Sequence, residues 1–334
     1  MDFNQNFSLK AYNSLKLEST ANFFCEVYSK KDCFEALNFA NDNKLEVLII
    51  GSGTNIIFPQ KLNSLVIKNN LKGIDREKNK LSIASGENWH DLVLWSLRNY
   101  MYGLENLALI PGTVGAGPIQ NIGAYGEEIS SKLTSVDVID MKTFSEKTIS
   151  QKECKFGYRD SLFKLNKNLM ITRVHMELKL KDQPNTSYEN LSRFLIDDNI
   201  RPSSATAMQV CRAVIALRSK YLPDPKIVPN VGSFFKNPYI DENQLASLLA
   251  IDKNIPNYKE NNDLHKISAA YLIEQTGWKG IKKGQVGIHA NHSLVVITYD
   301  GATREEVLEF ADNIKTSVKN KFNLYLEIEP TIFY

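Results

Sequence analysis

The chain is short of cysteine, of charge imbalance and of long apolar runs, and each shortage excludes something. Four cysteines (Cys25, Cys33, Cys154 and Cys211) are scattered over 334 residues without a C-x-x-C pair. No zinc ribbon or disulfide framework is spelled out, and the four read as reduced, buried thiols of a cytoplasmic protein. Lysine and arginine number 40 against 38 aspartates and glutamates, a formal net charge of +2. That balance supplies no bulk field for nucleic acid or a membrane surface, and no nucleic-acid-binding pattern appears, so neither partner is expected. No apolar run nears the roughly 20 residues of a bilayer-spanning helix. The opening M-D-F-N-Q-N-F-S-L-K has no charged head followed by an apolar core, so no signal peptide is expected. There is no internal repeat and no low-complexity linker. His289-x-x-His292 has ligand-like spacing without a third ligand, so no metal is expected.

What is present is concentrated in Leu109 to Gly126, L-I-P-G-T-V-G-A-G-P-I-Q-N-I-G-A-Y-G. Five glycines and two prolines fall in these eighteen residues, with no charge among them. Such a stretch is neither one regular helix nor a central strand, and it is too apolar for a solvated loop. It predicts a buried, stiffened backbone whose bare N–H groups face a ligand, most naturally an anion. A tight turn between core elements is the alternative.

The length allows two or three domains. Lys31 to Asn43 reads as a helix and Leu45 to Ile50 as a strand that runs into G-S-G-T-N at Gly51 to Asn55. A dinucleotide-binding G-x-G-x-x-G would need glycine at position 56 and a helix from there. Ile56 and Pro59 predict a second strand instead, which disfavours a Rossmann site. Short strands are expected at Leu65 to Lys68 and Leu81 to Ala84. Asn88 should cap a helix with a buried stripe of Trp89, Leu92, Val93, Leu97 and Tyr100. A hairpin is expected over Ser135 to Lys152 and a strand over Leu169 to Leu180. Helices follow at Tyr188 to Asp198, Ser204 to Tyr221 (buried along Val210, Ala213, Val214, Leu217 and Tyr221), Asp241 to Ala250 and Ser268 to Thr276. Leu294 to Thr298 is a strand, Thr303 and Glu306 form a capping box, and a last strand is expected at Leu324 to Ile328.

These motifs, in this order, resemble the UDP-N-acetylenolpyruvoylglucosamine reductase family, in its longer subtype. The resemblance runs nearly the full length. It is carried by N-S-L at Asn13, G-S-G-T-N at Gly51, P-G-T-V-G-A-G-P-I-Q-N-I-G-A-Y-G at Pro111, G-Y-R-D-S-L-F-K at Gly157, L-P-D-P at Leu222, G-S-F-F-K-N-P at Gly232, A-A-Y-L-I-E-Q-T-G-W-K-G at Ala269 and L-E-I-E near the end. It implies an α+β chain: a two-subdomain FAD-binding fold of the vanillyl-alcohol-oxidase (PCMH) type, plus a C-terminal α/β substrate-binding domain. The first FAD-binding subdomain would span 1–70, completed by the last strand at 325–334. The second would span 71–203, and the substrate-binding domain 204–324.

The resemblance further implies bound FAD, NADPH as hydride donor and the enolpyruvyl ether of UDP-N-acetylglucosamine as substrate, in a cytoplasmic monomer of peptidoglycan precursor synthesis. FAD would be held by Gly51, Ser52, Gly53, Thr54, Asn55, Pro111, Gly112, Thr113, Gly115, Ala116, Ile119, Gln120, Asn121, Ile122, Gly123, Ala124, Tyr125 and Ile171. Arg159 in Y-R-D-S matches the catalytic arginine beside the substrate carboxylate, and Ser233 matches the proton donor to the α carbon. Glu329 matches their acidic partner; period-2 alternation puts Glu327 and Glu329 on one face. Tyr188, Lys220, Lys236 and Asn237 match residues directed at the nucleotide, although Tyr221 stands as an extra residue before L-P-D-P. Two rival readings remain at this point. A flavin oxidase on the same fold would need a base for alcohol deprotonation and has no use for G-S-F-F-K-N-P. A nucleotide-binding protein without turnover would have no need of Arg159, Ser233 and Glu329 together.

Overall fold

In the computed structural model, which describes residues 1–260 and 263–333, the apolar run after Lys44 forms the strand Glu46–Ile50. It lies parallel to Lys61–Asn69. The turn after Ile50 leads into the short strand Ile56–Ile57 rather than a helix, which removes the Rossmann option on geometry as well as on motif. Tyr334, the end of the expected returning strand, lies outside the described residues. No helix among the described residues is long and apolar enough to cross a membrane.

The chain gathers into two units, each made of separated stretches. The first comprises Met1–Phe7, Ala21–Ser52 and Asn63–Lys220. It holds a four-stranded sheet in the order Asn4–Ser8, Thr20–Val27, Lys61–Asn69, Glu46–Ile50. The helix Lys30–Asp42, started by a Ser29–Asp32 capping box, contributes Cys33, Ala36, Leu37 and Ala40 to a core shared with Val27, Leu65 and Ile67. The second sheet of this unit has five antiparallel strands, in the order Ser145–Ser150, Leu133–Asp140, Leu169–Glu177, Lys80–Ala84, Ile74–Glu77. Its core takes in the helices Trp89–Arg98, Glu189–Asp197 and Ala207–Tyr221. All four cysteines are free and buried. Burial pushes the Cys25 and Cys33 thiols up to about 12, and those of Cys154 and Cys211 up to about 11.

The second unit comprises Ser8–Thr20, Gly53–Leu62 and Tyr221–Tyr334. Its four-stranded antiparallel sheet runs in the order Asn230–Ser233, Val295–Thr298, Val286–Ile288, Lys282–Lys283. The long helix Arg304–Phe322 begins at the expected Thr303–Glu306 capping box and buries Val307, Phe310, Ala311, Ile314 and Val318. Near the end of the chain, Thr331–Ile332 pairs in parallel with Ile56–Ile57.

Several sequence expectations fail at element ends, where periodicity has nothing left to act on. Tyr100 is 74% exposed, because the helix stops at Arg98 and Tyr100 sits beyond its cap with φ +56°. Tyr221 closes its helix and is also exposed, and Leu180 falls past the strand ending at Glu177. Leu324 to Ile328 is not a ladder strand. It is an extended segment with one isolated bridge, Ile328 to Phe235. Burial alternates only as far as Leu326, so Glu327 is exposed while Glu329 is buried, and the two do not share a face.

The N-S-L motif is a structural pin. Asn13 is 2% exposed; its Nδ2 donates to the carbonyls of Leu9 (2.9 Å) and Leu17 (3.0 Å), and its Oδ1 accepts from the Leu17 N–H at 2.9 Å. Each buried group left unpaired costs about 1–3 kcal/mol. Asn13→Ala is therefore expected to lower unfolding stability by about 3 kcal/mol, read as an earlier urea midpoint at unchanged slope. An unmoved midpoint would mean that solvent replaces the three bonds without penalty.

Candidate active site

The stretch from Pro111 to Gly126 is braced before it begins. Trp89, 1% exposed, donates its indole N–H to the Leu107 carbonyl at 2.8 Å, and its backbone N–H to that of Gly112. His90 Nδ1 accepts from the Leu109 N–H at 3.0 Å. The stretch then winds through two 3-10 turns, Val114–Ala116 and Pro118–Gln120, and ends in a small hairpin in which Gly123 and Ala124 pair with Glu128 and Glu127.

One expectation is corrected here. The N–H groups of Val114, Gly115, Ala116, Gly117, Asn121 and Ile122 are not bare; they donate to the carbonyls of Glu87, Ser85, Thr113, Val114, Pro118 and Gly117. Buried amides find partners where they can, and glycine and proline here serve close packing more than anion binding. The same closeness governs Gly51. A Cβ there would lie 2.4 Å from Thr113 Oγ1, so the Gly51 backbone and the 111–126 stretch abut only because Gly51 lacks a side chain. Within the stretch Gly112, Thr113, Gly115, Asn121 and Ile122 are buried, Ala116, Gln120, Gly123, Ala124 and Tyr125 are half-buried, and Pro111 and Ile119 are exposed. Ile171 is buried on its strand, and its carbonyl accepts from Asn69. G-S-G-T-N is divided: Gly51 and Ser52 belong to the first unit, and Gly53, Thr54 and Asn55 to the second.

Arg159 occupies the outer corner of a tight turn in which Gly157 and Asp160 exchange backbone hydrogen bonds, and it adopts φ +53°. Its guanidinium donates to the Gly123 carbonyl at 2.9 Å and, more weakly, to that of Asn121 at 3.5 Å. The turn is stitched to the glycine stretch from both sides. Ser161 Oγ donates to the Ile119 carbonyl at 2.7 Å, while Asn121 Nδ2 donates to the Gly157 carbonyl at 3.1 Å and to Glu128 at 2.7 Å. Arg159 and the 111–126 stretch are thus in direct contact within this unit.

Three residues that the sequence reading missed belong to the same neighbourhood. Asn106 is 1% exposed and donates to the carbonyls of Tyr125 and Asn185, both at 2.8 Å. Asn185 returns a bond to the Gly126 carbonyl, and the Tyr188 ring meets Tyr125 edge-on at 5.4 Å. Asn106 thus fastens the Tyr188 segment to the end of the glycine stretch. Lys68 donates to the Gly51 carbonyl, and burial lowers its pKa. Arg218 lies on the buried side of its helix, with Nε sealed from solvent and without a partner among the described residues. Its signal was present in the sequence: Val210, Val214 and Arg218 recur at four-residue spacing, which puts the arginine in line with the apolar stripe.

In the second unit, Ser233 ends the strand Asn230–Ser233 beyond a bulge in its pairing with Val295–Thr298. Gly232 takes φ +74° at the bulge and donates to Asn230 Oδ1 at 2.8 Å. Phe234 and Phe235, both buried and edge-to-face at 5.3 Å, anchor the chain on the other side. Ser233 Oγ has no hydrogen-bond partner among the described residues. Glu329 is brought to the same element: its N–H donates to the Phe234 carbonyl at 2.9 Å, and its side chain is buried. Glu327 lies apart, in an ion pair with Lys236 at 2.9 Å. Asn237 Oδ1 accepts from the Ala269 N–H, which pins the start of the helix Ala269–Gln275. Lys220 is exposed in the last turn of its own helix. His289 and His292 both accept backbone N–H groups, from Asn291 and Leu294, and so help build a turn.

Comparison with known proteins bears directly on these two units. Residues 21–143 match a family described as an FAD binding domain, and residues 224–333 one described as the C-terminal domain of UDP-N-acetylenolpyruvoylglucosamine reductase. A UDP-N-acetylenolpyruvoylglucosamine reductase of Pseudomonas fluorescens is 36% identical, over 100% of this chain and 99% of its own length. One of Amoebophilus asiaticus is 38% identical, over 99% of each. The chain belongs to the UDP-N-acetylenolpyruvoylglucosamine reductase family. The crystal structure of the reductase from Thermus caldophilus, at 22% identity, covers 100% of both chains with a TM-score of 0.71, and so shares the fold.

This reductase is an FAD-dependent oxidoreductase that uses NADPH to reduce the enolpyruvyl ether of UDP-N-acetylglucosamine, a step of peptidoglycan precursor synthesis. The residues present fit the flavin. Gly51 brings its backbone directly against the Thr113 side chain, and the stretch that follows is uncharged. Asn106 Oδ1 and Arg218 Nε are buried polar atoms that no described residue satisfies.

The Asn106 fastening predicts a local effect. Asn106→Ala removes two bonds, each with a net worth of about 1 kcal/mol, so amide hydrogen exchange over residues 185–188 should quicken roughly thirtyfold. Exchange elsewhere in the first unit should stay within about twofold. Unchanged exchange at 185–188 would show that the segment is held by other contacts.

Proposed function

We propose that in this reductase Arg159, Ser233 and Glu329 carry out the chemistry on the enolpyruvyl group. When bound, FAD supplies a two-electron carrier that takes hydride from NADPH and passes it to the terminal methylene carbon of the substrate. The electron pair of the double bond is then driven toward the α carbon and into the carboxylate. Arg159 stabilises that growing charge, because a guanidinium presents two parallel donors to a carboxylate. Ser233 Oγ delivers the proton that completes the α carbon, so hydride and proton together convert C=C to CH–CH₃. Serine is a weak acid, and this role needs fixed position and nearby positive charge. Glu329 orients the serine proton and assists its replacement.

The observation that carries this reading is the unpartnered Ser233 hydroxyl, held at a strand bulge with the buried Glu329 bonded to the adjoining residue. A turn serine with only a structural role would bond its own backbone. Residues 1–70 with 325–334 and residues 71–203 serve the flavin, and residues 204–324 serve the sugar nucleotide. FAD is held by the Gly51–Asn55 and Pro111–Tyr125 backbones with Ile171, and Tyr188, Lys220, Lys236 and Asn237 attend the nucleotide. The enzyme is read as a cytoplasmic monomer that engages neither nucleic acid nor membrane.

Anaerobic stopped-flow of the holoenzyme tests the roles. Ser233→Ala should leave NADPH-driven bleaching of the flavin within about threefold, while reoxidation by the enolpyruvyl substrate slows by roughly a thousandfold or more. Comparable slowing of both half-reactions would assign Ser233 to structure instead.

A further inference from the structure

Two carboxylates stand side by side in the small hairpin that ends the glycine stretch, and they do different work. Glu127 pairs with Lys132 at 2.9 Å and accepts from Asn185 Nδ2 at 3.0 Å, which ties it to the Tyr188 segment. Glu128 serves the Arg159 turn instead. Its Oε2 accepts from Asn121 Nδ2 at 2.7 Å, and it forms no ion pair among the described residues. Its backbone closes the hairpin against Gly123, a task that needs no carboxylate. What the carboxylate holds is the Asn121 amide, buried on a backbone at φ +46°. Nδ2 of that amide faces two acceptors, Glu128 and the Gly157 carbonyl at 3.1 Å, while Oδ1 accepts from the Ser130 N–H at 3.2 Å. An amide bonded in this way has one orientation, because turning it over would set its oxygen against both acceptors.

We propose that Glu128 is a positioning residue of the reductase reaction, which sets the direction of the Arg159 guanidinium by holding Asn121. Asn121 meets the Arg159 turn twice: its side chain bonds the Gly157 carbonyl, and its own carbonyl lies 3.5 Å from the guanidinium. The closer tether of that guanidinium, the Gly123 carbonyl at 2.9 Å, belongs to the residue that Glu128 pairs with. A Cβ on Gly123 would lie 3.0 Å from Glu128 Cγ and 3.3 Å from Arg159 Nη1, so glutamate stem and guanidinium pack against one short piece of backbone. A charged acceptor holds an amide N–H more firmly than a neutral one. A small misplacement of a group that answers developing charge is paid in rate. The inference rests on the reading of Arg159 as the carboxylate partner and adds what aims it.

The test uses holoenzyme carrying Glu128→Ala, Glu128→Gln, Glu128→Asp, Arg159→Gln or Glu128→Ala with Arg159→Gln, each first checked for flavin content. In anaerobic stopped-flow, Glu128→Ala should leave flavin reduction by NADPH within about twofold and slow reoxidation by the enolpyruvyl substrate by about 10- to 30-fold. Glu128→Gln keeps an acceptor of the same reach and should recover most of that rate. Glu128→Asp keeps the charge but is one methylene short, and should not. Where Arg159 is already Gln, removing Glu128 should slow reoxidation by less than about twofold further, since the group it aims is gone. Additive slowing in the double variant, comparable slowing of both half-reactions, or a Glu128→Gln rate as low as that of Glu128→Ala overturns the proposal. If Glu128→Ala does not retain flavin, the Gln and Asp variants decide, and equal reoxidation rates in those two overturn it. The Arg159 reading fails separately, if Arg159→Gln alone leaves reoxidation at the wild-type rate.

Discussion

The first unit depends on how the backbone of residues 111–126 disposes of its polar groups. Its N–H groups are largely consumed inward by carbonyls of the same stretch and of Ser85 and Glu87. The carbonyls of Asn121, Gly123 and Ile119 are left to face the turn that carries Arg159. The stretch therefore acts as a rigid acceptor surface toward the protein. Arg159 is fixed by two of those carbonyls. Trp89 and His90 extend the bracing back to a capped helix, so the position of Arg159 is inherited from a core rather than from a loose loop.

The second unit holds Ser233 at a strand end where its hydroxyl bonds no described residue. A hydroxyl in a strand ordinarily finds a neighbouring carbonyl. The bulge after Asn230 interrupts the pairing, and the buried Phe234 and Phe235 follow directly after it. Glu329 reaches the same place through the isolated Ile328–Phe235 bridge, in which its N–H donates to Phe234 and the Lys236 N–H donates to Glu327, rather than through a continuous strand.

Most elements were legible from periodicity and caps, and Asn88 and Thr303 do cap the helices that follow them. The motif residues were legible because few sequences tolerate so many glycines in an uncharged run. What escaped was set by partners distant in sequence. The face of Glu329 could not come from alternation, because the chain after Leu326 follows Phe234 and Phe235 rather than a ladder. The unbonded amides expected at Val114 to Gly117 were taken up by Glu87, Ser85 and the turn itself, which composition cannot foresee. Asn106 looked like one loop asparagine among several, and its role comes from segments 19 and 79 residues away.

The thiols, finally, bear on the safety of a protein that handles hydride. Reduced flavins pass electrons to dioxygen and yield hydrogen peroxide, and peroxide attacks cysteine as the thiolate. With all four cysteines buried and their thiols held at about 11 to 12, almost none is ionised at neutral pH. Their first step toward sulfenic acid is accordingly suppressed. The packing that hides these side chains thereby leaves peroxide almost no thiolate to attack.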